Sequence, residues 1–445
     1  MNKEFLLNSQ TAEKLYDKVK ALPIIDYHNH LSFEDIKLNK RYTDMCDLWV
    51  KPDPYKHRAM RMCGVKEYYI TGDASNKEKF TAWCKTLPKL LGNPLHHWTK
   101  MELELFGINK MPNRENAEEI YNLCNKFLAE NDITPKYFIE KFGVEMACPC
   151  ASVADEAEAF DVYVPSLRGD DMVSPDSTFI KKLEVLSGKK IATLEEYQCV
   201  LKSRIKTFKE LGCKFSDHAL DNGFKFYEDD GSNAKRFEKL LKGTIAEKDK
   251  EILSSYLLVF VGDEYEKNSL IMQLHIGAQR FTSARLREVA GPAGGFAGIG
   301  NSTDVKSLTN LLNAIEQKGS LPKIILFTLN PSDNALMSIL SGSYSKDGVC
   351  GIITQGPAWW WCDHKKGIWD MLENAAVFSA VSNFVGMTTD SRSFMSFVRH
   401  DYFRRILCDF LAEKFEKGEF GDDLEAVVDL AMRMCYKNAK ELMEE

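Results

Sequence analysis

Short apolar runs, each ending in a polar residue and followed by a stretch with helical spacing, recur along most of the chain. This alternation predicts an α/β fold in which parallel strands alternate with helices. Eight runs are found, and eight strands are the number that closes a (β/α)8 barrel of the TIM type. They cover residues 22–27, 144–148, 160–165, 213–216, 271–274, 323–329, 349–354 and 384–389.

A long interval, residues 28–143, separates the first run from the second. From about residue 35 to 140 it is rich in Lys, Glu, Leu and Trp at helical spacing, which predicts a helical insertion after strand one. We therefore expect three units: an N-terminal helix with strand one (1–34), the insertion (35–140), and the remaining barrel with closing helices near 394–417 and 422–441 (141–445). The insertion could cover the barrel mouth or form a contact between subunits.

The length and composition limit the classes of protein to which the chain can belong. The chain has 445 residues, of which 44% are hydrophobic and 28% charged, and such a chain can bury a large core. A formal net charge of −7 gives no sign of a nucleic-acid surface. The N-terminus has no secretory pattern and no run approaches a membrane span, so we expect a cytoplasmic protein that binds neither nucleic acid nor membrane. The twelve scattered cysteines are then expected to be reduced thiols.

Polar side chains stand where the predicted strands end. In a (β/α)8 barrel, catalytic groups come from the carboxyl ends of the strands. In chain order these ends carry His28, Arg168, Asp217 with His218, His275, Asn330, Gln355 and Asp390. We therefore expect the active site to be built from members of this set.

His28 and His30 are the strongest candidates for a metal site. Residues two apart in a strand point to the same side, so both imidazoles could bind one divalent ion. Two histidines satisfied by hydrogen bonds are the alternative. Asp390 ends the eighth run, and the first and eighth strands are neighbours in a closed barrel. Its carboxylate could complete a site with open positions for water or substrate, or it could be only a helix N-cap.

Other residues near the strand ends could contact a substrate. Arg392 and Arg168 could hold a carboxylate by paired hydrogen bonds, although a basic residue on a barrel loop is more often a surface charge. His275 is either a histidine at the edge of the core or a hydrogen-bond donor. The run Trp359-Trp360-Trp361 follows Gln355; such a run is more often packing, but it could stack on a sugar ring.

Several characteristic motifs follow one another along the chain. The opening motif is Asp26-Tyr27-His28-Asn29-His30-Leu31, and residues 272–278 and 329–331 follow in order. The most specific motifs are Val385-Gly386-Met387, Thr389-Asp390-Ser391-Arg392-Ser393-Phe394, and Arg399-His400 with residues 402–408. Together they resemble the motifs of the uronate isomerase (glucuronate isomerase) family, a branch of the amidohydrolase superfamily. Chance does not produce so many matches in order.

The resemblance implies an activity and a cofactor. The family interconverts aldose and ketose hexuronates: glucuronate with fructuronate, and galacturonate with tagaturonate. Carried over by position, it makes His28, His30 and Asp390 the ligands of one divalent metal ion, expected to be zinc or manganese. The partner is then a small hexuronate, and we expect the chain to form a homo-oligomer.

The resemblance also implies substrate contacts. It makes Arg168, Arg392 and His275 contacts to the hexuronate and places Tyr55 near the sugar hydroxyls. We expect Asp390 to act as the base and Tyr55 to help relay hydroxyl protons. From their place after the seventh run, we expect a further set of substrate contacts at Gln355, Trp359 and Trp360.

The chain also departs from the family pattern. Pro54 stands where a histidine usually precedes the matched tyrosine, and Cys148-Pro149-Cys150-Ala151 stands where a Thr-Asp-Asp stretch is common. We therefore expect a divergent member. Two alternatives stay open: a metal-dependent hydrolase on the same barrel, with Asp390 activating water, and a sugar-acid binding protein that has lost catalysis.

Overall fold

A parallel sheet lies at the centre of the computed structural model, which describes residues 4–444. Seven strands are hydrogen-bonded in the order β1-β2-β3-β4-β5-β8-β9, and β6 with β7 forms a separate antiparallel pair. The α/β class with a parallel, barrel-like sheet is therefore confirmed. The strands within the described range are β1 (Ile24–Asn29), β2 (Val144–Ser152), β3 (Ser166–Arg168), β4 (Phe215–Leu220), β5 (Ile271–Ile276), β6 (Ala278–Gln279), β7 (Gly298–Ile299), β8 (Ile324–Thr328) and β9 (Ile353–Gln355).

Helices surround this sheet, and an additional group of helices packs on one side of it. Local signals fix many of their ends: Thr193 and Glu196 form a reciprocal cap at the start of α11, and Gly143, with φ +61°, ends α8 directly before β2. In residues 4–444 the α-helices are α1 (Gln10–Val19), α2 (Phe33–Lys37), α3 (Met45–Trp49), α4 (Pro54–Met62), α5 (Asn76–Thr86), α6 (Pro94–Glu104), α7 (Ala117–Glu130), α8 (Pro135–Phe142), α9 (Asp170–Val173), α10 (Ser177–Ser187), α11 (Leu194–Glu210), α12 (Asn233–Leu241), α13 (Glu247–Lys267), α14 (Ala284–Ala290), α15 (Val305–Glu316), α16 (Asn334–Leu340), α17 (Lys365–Phe378), α18 (Val398–Glu416), α19 (Leu424–Met432) and α20 (Asn438–Glu444).

The eighth predicted strand is an extended segment outside the ladder. Residues 384–389 lead into Asp390, whose N–H donates to the His28 carbonyl (3.0 Å), while the His30 N–H donates to the Ser391 carbonyl (2.8 Å). Gly386, with φ +94°, interrupts the extended backbone. The segment therefore runs beside β1 and closes that side of the barrel. The prediction of a regular eighth strand is wrong.

The third predicted strand is also displaced. Residues 160–165 form only isolated bridges, between Ala147 and Tyr163 and between Phe160 and Tyr163, and β3 begins at Ser166. Asp161 has φ +45°, and Pro165 has no N–H to give to a ladder. The apolar run therefore ends before the strand, and β3 carries Arg168 as its last residue.

Apolar side chains fill the inside of the sheet below the strand ends. Tyr27 stacks on Phe215 with ring centroids 5.3 Å apart, and Cys148 and Ile325 belong to the same buried cluster. These side chains fill the interior of the barrel, so it is not a channel. The polar residues at the carboxyl ends of the strands therefore lie above an apolar layer that excludes water.

Helices α2–α8 occupy the long interval between β1 and β2, as predicted for residues 35–140. Their buried side chains share one apolar cluster with α18; Trp49, Phe138 and Leu407 are members. The division into three units stays a prediction. Within residues 4–444, no helix combines the length and apolar character needed to cross a membrane. All twelve cysteines lie in this range and none forms a disulfide.

Candidate metal centre and active site

Asp390 meets His28 and His30 at the end of β1. The Asp390 Oδ1 atom lies 3.3 Å from His28 Nε2 and 3.0 Å from His30 Nε2. The backbone bonds between Asp390 and β1 fix this juxtaposition, because they tie the two chain segments at the level of the histidines. The structure therefore brings together the three side chains that the sequence analysis selected as metal ligands.

Both distances from Asp390 Oδ1 suit pairs of atoms that bind the same cation. Zinc–nitrogen bonds of about 2.0–2.1 Å at the tetrahedral angle separate two ligand atoms by about 3.3 Å. Burial raises the pKa of Asp390, but hydrogen bonds from His28 and His30 outweigh it and hold that pKa well below its ordinary value. Asp390 is therefore a carboxylate at neutral pH, the form that binds a metal.

The second oxygen of Asp390 is held by two tryptophans. The indole N–H groups of Trp359 and Trp360 both donate to Asp390 Oδ2, at 2.7 and 2.5 Å. Trp360 and Asp390 have φ +49° and +44°, a strained left-handed backbone for residues other than glycine. This strain turns the indoles and the carboxylate towards each other, so Oδ1 alone faces the histidines.

A buried aspartate fixes the segment that carries Asp390. The carboxylate of Asp26 accepts hydrogen bonds from the Thr388 hydroxyl (2.9 Å), the Thr389 N–H (2.6 Å) and the Thr389 hydroxyl (2.7 Å). His400 Nε2 lies 3.4 Å from the same carboxylate. The sequence analysis did not single out Asp26, although a carboxylate inside an apolar strand was the available signal.

Three further side chains, those of Cys150, Asp217 and His275, lie close to His28. One ligand atom from each of His28, Asp217 and His275 lies within 4.8 Å of the others, and the same holds for His28, His30 and Cys150. These groups could hold a metal ion. His275 is buried, stacks on Phe327 with a centroid distance of 4.5 Å, and its Nε2 has no hydrogen-bond partner within residues 4–444. We call His28, His30, Cys150, Asp217, His275 and Asp390 the ligand cluster.

A cavity opens beside the ligand cluster and contains several of the expected substrate contacts. The cavity has a volume of about 120 Å³, lies between this end of the barrel and α4, and opens to solvent. The Arg168 side chain is 43% exposed and lies 3.6 Å from Asp170. The predicted residues at the cavity wall are His30, Tyr55, Arg168, Trp360, Asp390 and Arg392.

Gln355 and Trp359 are placed differently from the expectation of direct substrate contact. The Gln355 amide donates to Asn334 (2.9 Å) and accepts from the Ser338 hydroxyl, and both of these partners belong to α16. The structure therefore does not bring Gln355 to the cavity. Trp359 is buried beneath it, with its ring 4.8 Å from His275.

A second buried group of charges lies on the helical side of the cavity. We call its members, Asp53, Lys56, Glu102, Asp363 and Arg399, the wall cluster. The Lys56 ammonium lies 2.6 Å from Asp53 and 3.7 Å from Glu102, and the indole of Trp49 donates to Glu102 (2.7 Å). These contacts compensate both carboxylates within the fold.

Arg399 connects the wall cluster to Tyr55 and to the segment before Asp390. Its guanidinium donates to the Thr389 carbonyl (3.1 Å), lies 4.9 Å from the Tyr55 ring centroid and lies 3.7 Å from Asp363. Burial raises the pKa of Asp363 to about 7 despite Arg399. Burial also raises the pKa of Tyr55 well above its ordinary value, so the phenol is protonated. Arg399 and Asp363 were not predicted as site residues; the motif around Arg399 was the available signal.

The sequence relatives decide the family. The model of the glucuronate isomerase family matches residues 1–443. A uronate isomerase from Caldicellulosiruptor saccharolyticus is 40% identical over 99% of this chain and 98% of its own length. The chain belongs to the glucuronate isomerase family. A further relative, the uronate isomerase of Caldanaerobacter subterraneus subsp. tengcongensis, is 38% identical over 100% of this chain and 99% of its own length.

Solved structures agree with this assignment to the glucuronate isomerase family. A uronate isomerase from Thermotoga maritima is 31% identical and superposes with a TM-score of 0.91 over 100% of this chain and 99% of that one. A putative metal-dependent hydrolase from Lactobacillus casei is 12% identical with a TM-score of 0.55, over 97% of each chain, a likeness of fold alone.

Proposed function

We propose that this chain is a uronate isomerase that interconverts aldo- and keto-hexuronates, glucuronate with fructuronate and galacturonate with tagaturonate. The observation that carries the proposal is the meeting of His28, His30 and Asp390 at the wall of a cavity that also contains Arg168 and Arg392. Membership in the glucuronate isomerase family supports the same reaction.

His28, His30 and Asp390 would hold one divalent metal ion, zinc or manganese. When bound, the ion supplies a Lewis acid that polarises the substrate carbonyl oxygen. The orphaned Nε2 of His275 and the unprotonated state of Asp390 fit this assignment, because both favour a cation in the ligand cluster.

Aldose–ketose exchange moves one proton between C1 and C2 and another between the attached oxygens. We assign the carbon proton to Asp390, whose Oδ2 is oriented by two indoles and whose carboxylate is ionised. Tyr55 lies at the same cavity wall with a protonated phenol and is suited to pass protons between the hydroxyls. Both residues then act on neighbouring atoms of one substrate.

The arginines would hold the far carboxylate of the hexuronate. Arg168 and Arg392 both line the cavity, and guanidinium groups bind carboxylates by paired hydrogen bonds. Such a clamp fixes C1 and C2 relative to Asp390. His275 is proposed as a further polar contact from the cavity floor, and Trp360 as the tryptophan that faces the sugar.

The test is a panel of aldo- and ketohexuronates assayed with metal-replete and metal-stripped protein. We expect at least one aldo–keto pair to interconvert, and only when metal is present. Unchanged turnover after complete removal of metal would overturn the metal assignment. Metal-dependent hydrolysis without isomerisation would identify a hydrolase, and hexuronate binding without turnover would identify a binding protein.

A further inference from the structure

A thiol faces the ligand cluster from β2. Cys150 Sγ lies 3.5 Å from His28 Nδ1 and 3.6 Å from Asp217 Oδ1. In addition, one ligand atom from each of His28, His30 and Cys150 lies within 4.8 Å of the other two. The thiol is therefore close enough to join the histidines on a single cation.

Strand pairing explains why the thiol stands at this level. Pro149 is the partner of Asn29 in the parallel ladder of β1 and β2, so Cys150 lies beside His30 on the neighbouring strand. Residues two apart in a strand share a face. Cys148, two positions earlier, belongs to the buried layer inside the barrel, and Cys150 stands one layer above it at the open end. The backbone of β2 therefore directs Cys150 to the site.

The side chains around Cys150 would also be stabilised by a positive charge. Asp217 is buried, and the side chain of Asp390 nearby is only 7% exposed. His275 offers a buried Nε2 without a hydrogen-bond partner within the described residues. Buried carboxylates and orphaned imidazole nitrogens are costly without a cation, so this part of the fold is suited to one.

We propose that Cys150 binds the metal ion together with His28 and His30, so that the ion has a sulfur ligand beside two imidazole nitrogens. This inference rests on the metal site proposed above. The thiol binds as a thiolate: the S–H proton leaves to solvent as the sulfur–metal bond forms. Because thiolate ligands favour zinc over manganese, zinc is the ion that this chain selects.

X-ray absorption of the zinc-loaded protein tests the ligand directly. We expect one sulfur scatterer per zinc at about 2.3 Å beside nitrogen and oxygen at about 2.0–2.2 Å. The Cys150→Ser variant should lose the sulfur shell. Cys148→Ala is the matched control, since it removes a thiol from the same face of the same strand below the site, and it should keep the shell.

A second readout uses cobalt and metal affinity. The cobalt-loaded protein should show a thiolate-to-cobalt charge-transfer band in the near ultraviolet, absent in Cys150→Ser and present in Cys148→Ala. The same substitution should weaken zinc binding at least about tenfold and change manganese binding much less. These measurements do not depend on turnover.

The outcomes separate this inference from the metal site on which it rests. Zinc bound at one ion per chain with only nitrogen and oxygen scatterers would overturn the sulfur ligand; Cys150 would then be a hydrogen-bond partner of His28. Failure of the protein to bind zinc, with the same metal content in His30→Ala, would overturn the metal site itself.

Discussion

The ligand cluster and the wall cluster both bury charged side chains at the mouth of the barrel, but only the wall cluster contains a lysine and an arginine that compensate its carboxylates. In the wall cluster Lys56 stands between Asp53 and Glu102, and Arg399 lies beside Asp363. In the ligand cluster two carboxylates meet three histidines and a thiol, and one imidazole nitrogen has no partner within residues 4–444.

This difference indicates that the wall cluster stabilises the fold and that the ligand cluster binds a metal ion. A compensated buried network supports the fold, and removing one member leaves an unpaired charge that destabilises it. A cluster of histidines, carboxylates and a thiol has the side chains that bind a metal ion, and it gains stability when the ion binds. Substitutions in the first should therefore cost stability, and substitutions in the second should cost metal and turnover.

Asp390→Asn should have the largest effect, a loss of kcat of about 10²–10⁴-fold. The amide cannot act as a base and is a weak ligand, yet it can still accept the indole N–H groups of Trp359 and Trp360. Steady-state kinetics with the metal content of each preparation check this. Turnover near the wild-type rate at full metal loading would show that Asp390 is not the base.

Lys56→Met should instead destabilise the metal-free protein by about 3–5 kcal/mol. Lys56 is 1% exposed, and its removal leaves Asp53 and Glu102 without their cation. Urea denaturation measures the loss. Lys51→Met is the matched control: it removes an equally short contact (2.6 Å) to Asp47, but both side chains are over 40% exposed, so the loss should be below about 1 kcal/mol. Equal losses in the two variants would contradict the comparison.

Asp363→Asn should change how stability depends on pH. Burial, with added repulsion from Asp390, raises the pKa of Asp363 from 3.8 in the unfolded chain to about 7 in the fold. Between these values the folded protein binds the extra proton, so this group lowers stability as pH rises. We expect the wild type to lose about 2 kcal/mol relative to the variant between pH 5 and 7.

Urea denaturation of both proteins at pH 5 and pH 7 measures this difference. Asp347→Asn, which changes an exposed carboxylate, is the control and should follow the wild type at both values. Arg399 and Tyr55 also lie near Asp363, so the comparison uses the difference between the two proteins rather than either pH profile alone. A variant whose stability runs parallel to the wild type would show that Asp363 stays ionised throughout.

The sequence allowed the parallel sheet and the meeting of His28, His30 and Asp390 to be predicted. Adjacent first and last strands bring their ends together in any closed barrel, so strand order alone fixes that proximity. Gln355 could not be placed in the same way. The apolar run began at residue 349, but β9 covers only Ile353–Gln355, and the last side chain of so short a strand faces α16 instead of the cavity.

The contacts of Trp359 and Trp360 with Asp390 could not be predicted from the sequence for a different reason. Their indoles reach Asp390 because Trp360 and Asp390 adopt positive φ, and nothing in a run of non-glycine residues signals such a backbone. Cys150 carried a weak signal, as half of a close cysteine pair at the end of a predicted strand. Its neighbours become visible only once β1 and β2 are aligned.

The tryptophans give the smallest expected effect and the finest test of how the ligand cluster is held. In Trp359→Phe or Trp360→Phe an aromatic ring remains, but one N–H donor to Asp390 Oδ2 is lost. We expect kcat to fall about tenfold with little change in KM, because the carboxylate loses its fixed orientation. Trp361→Phe is the comparison, since the Trp361 N–H has no partner in the described structure, and it should cost less than either. A raised KM with unchanged kcat would instead mean that the rings act by stacking on the sugar.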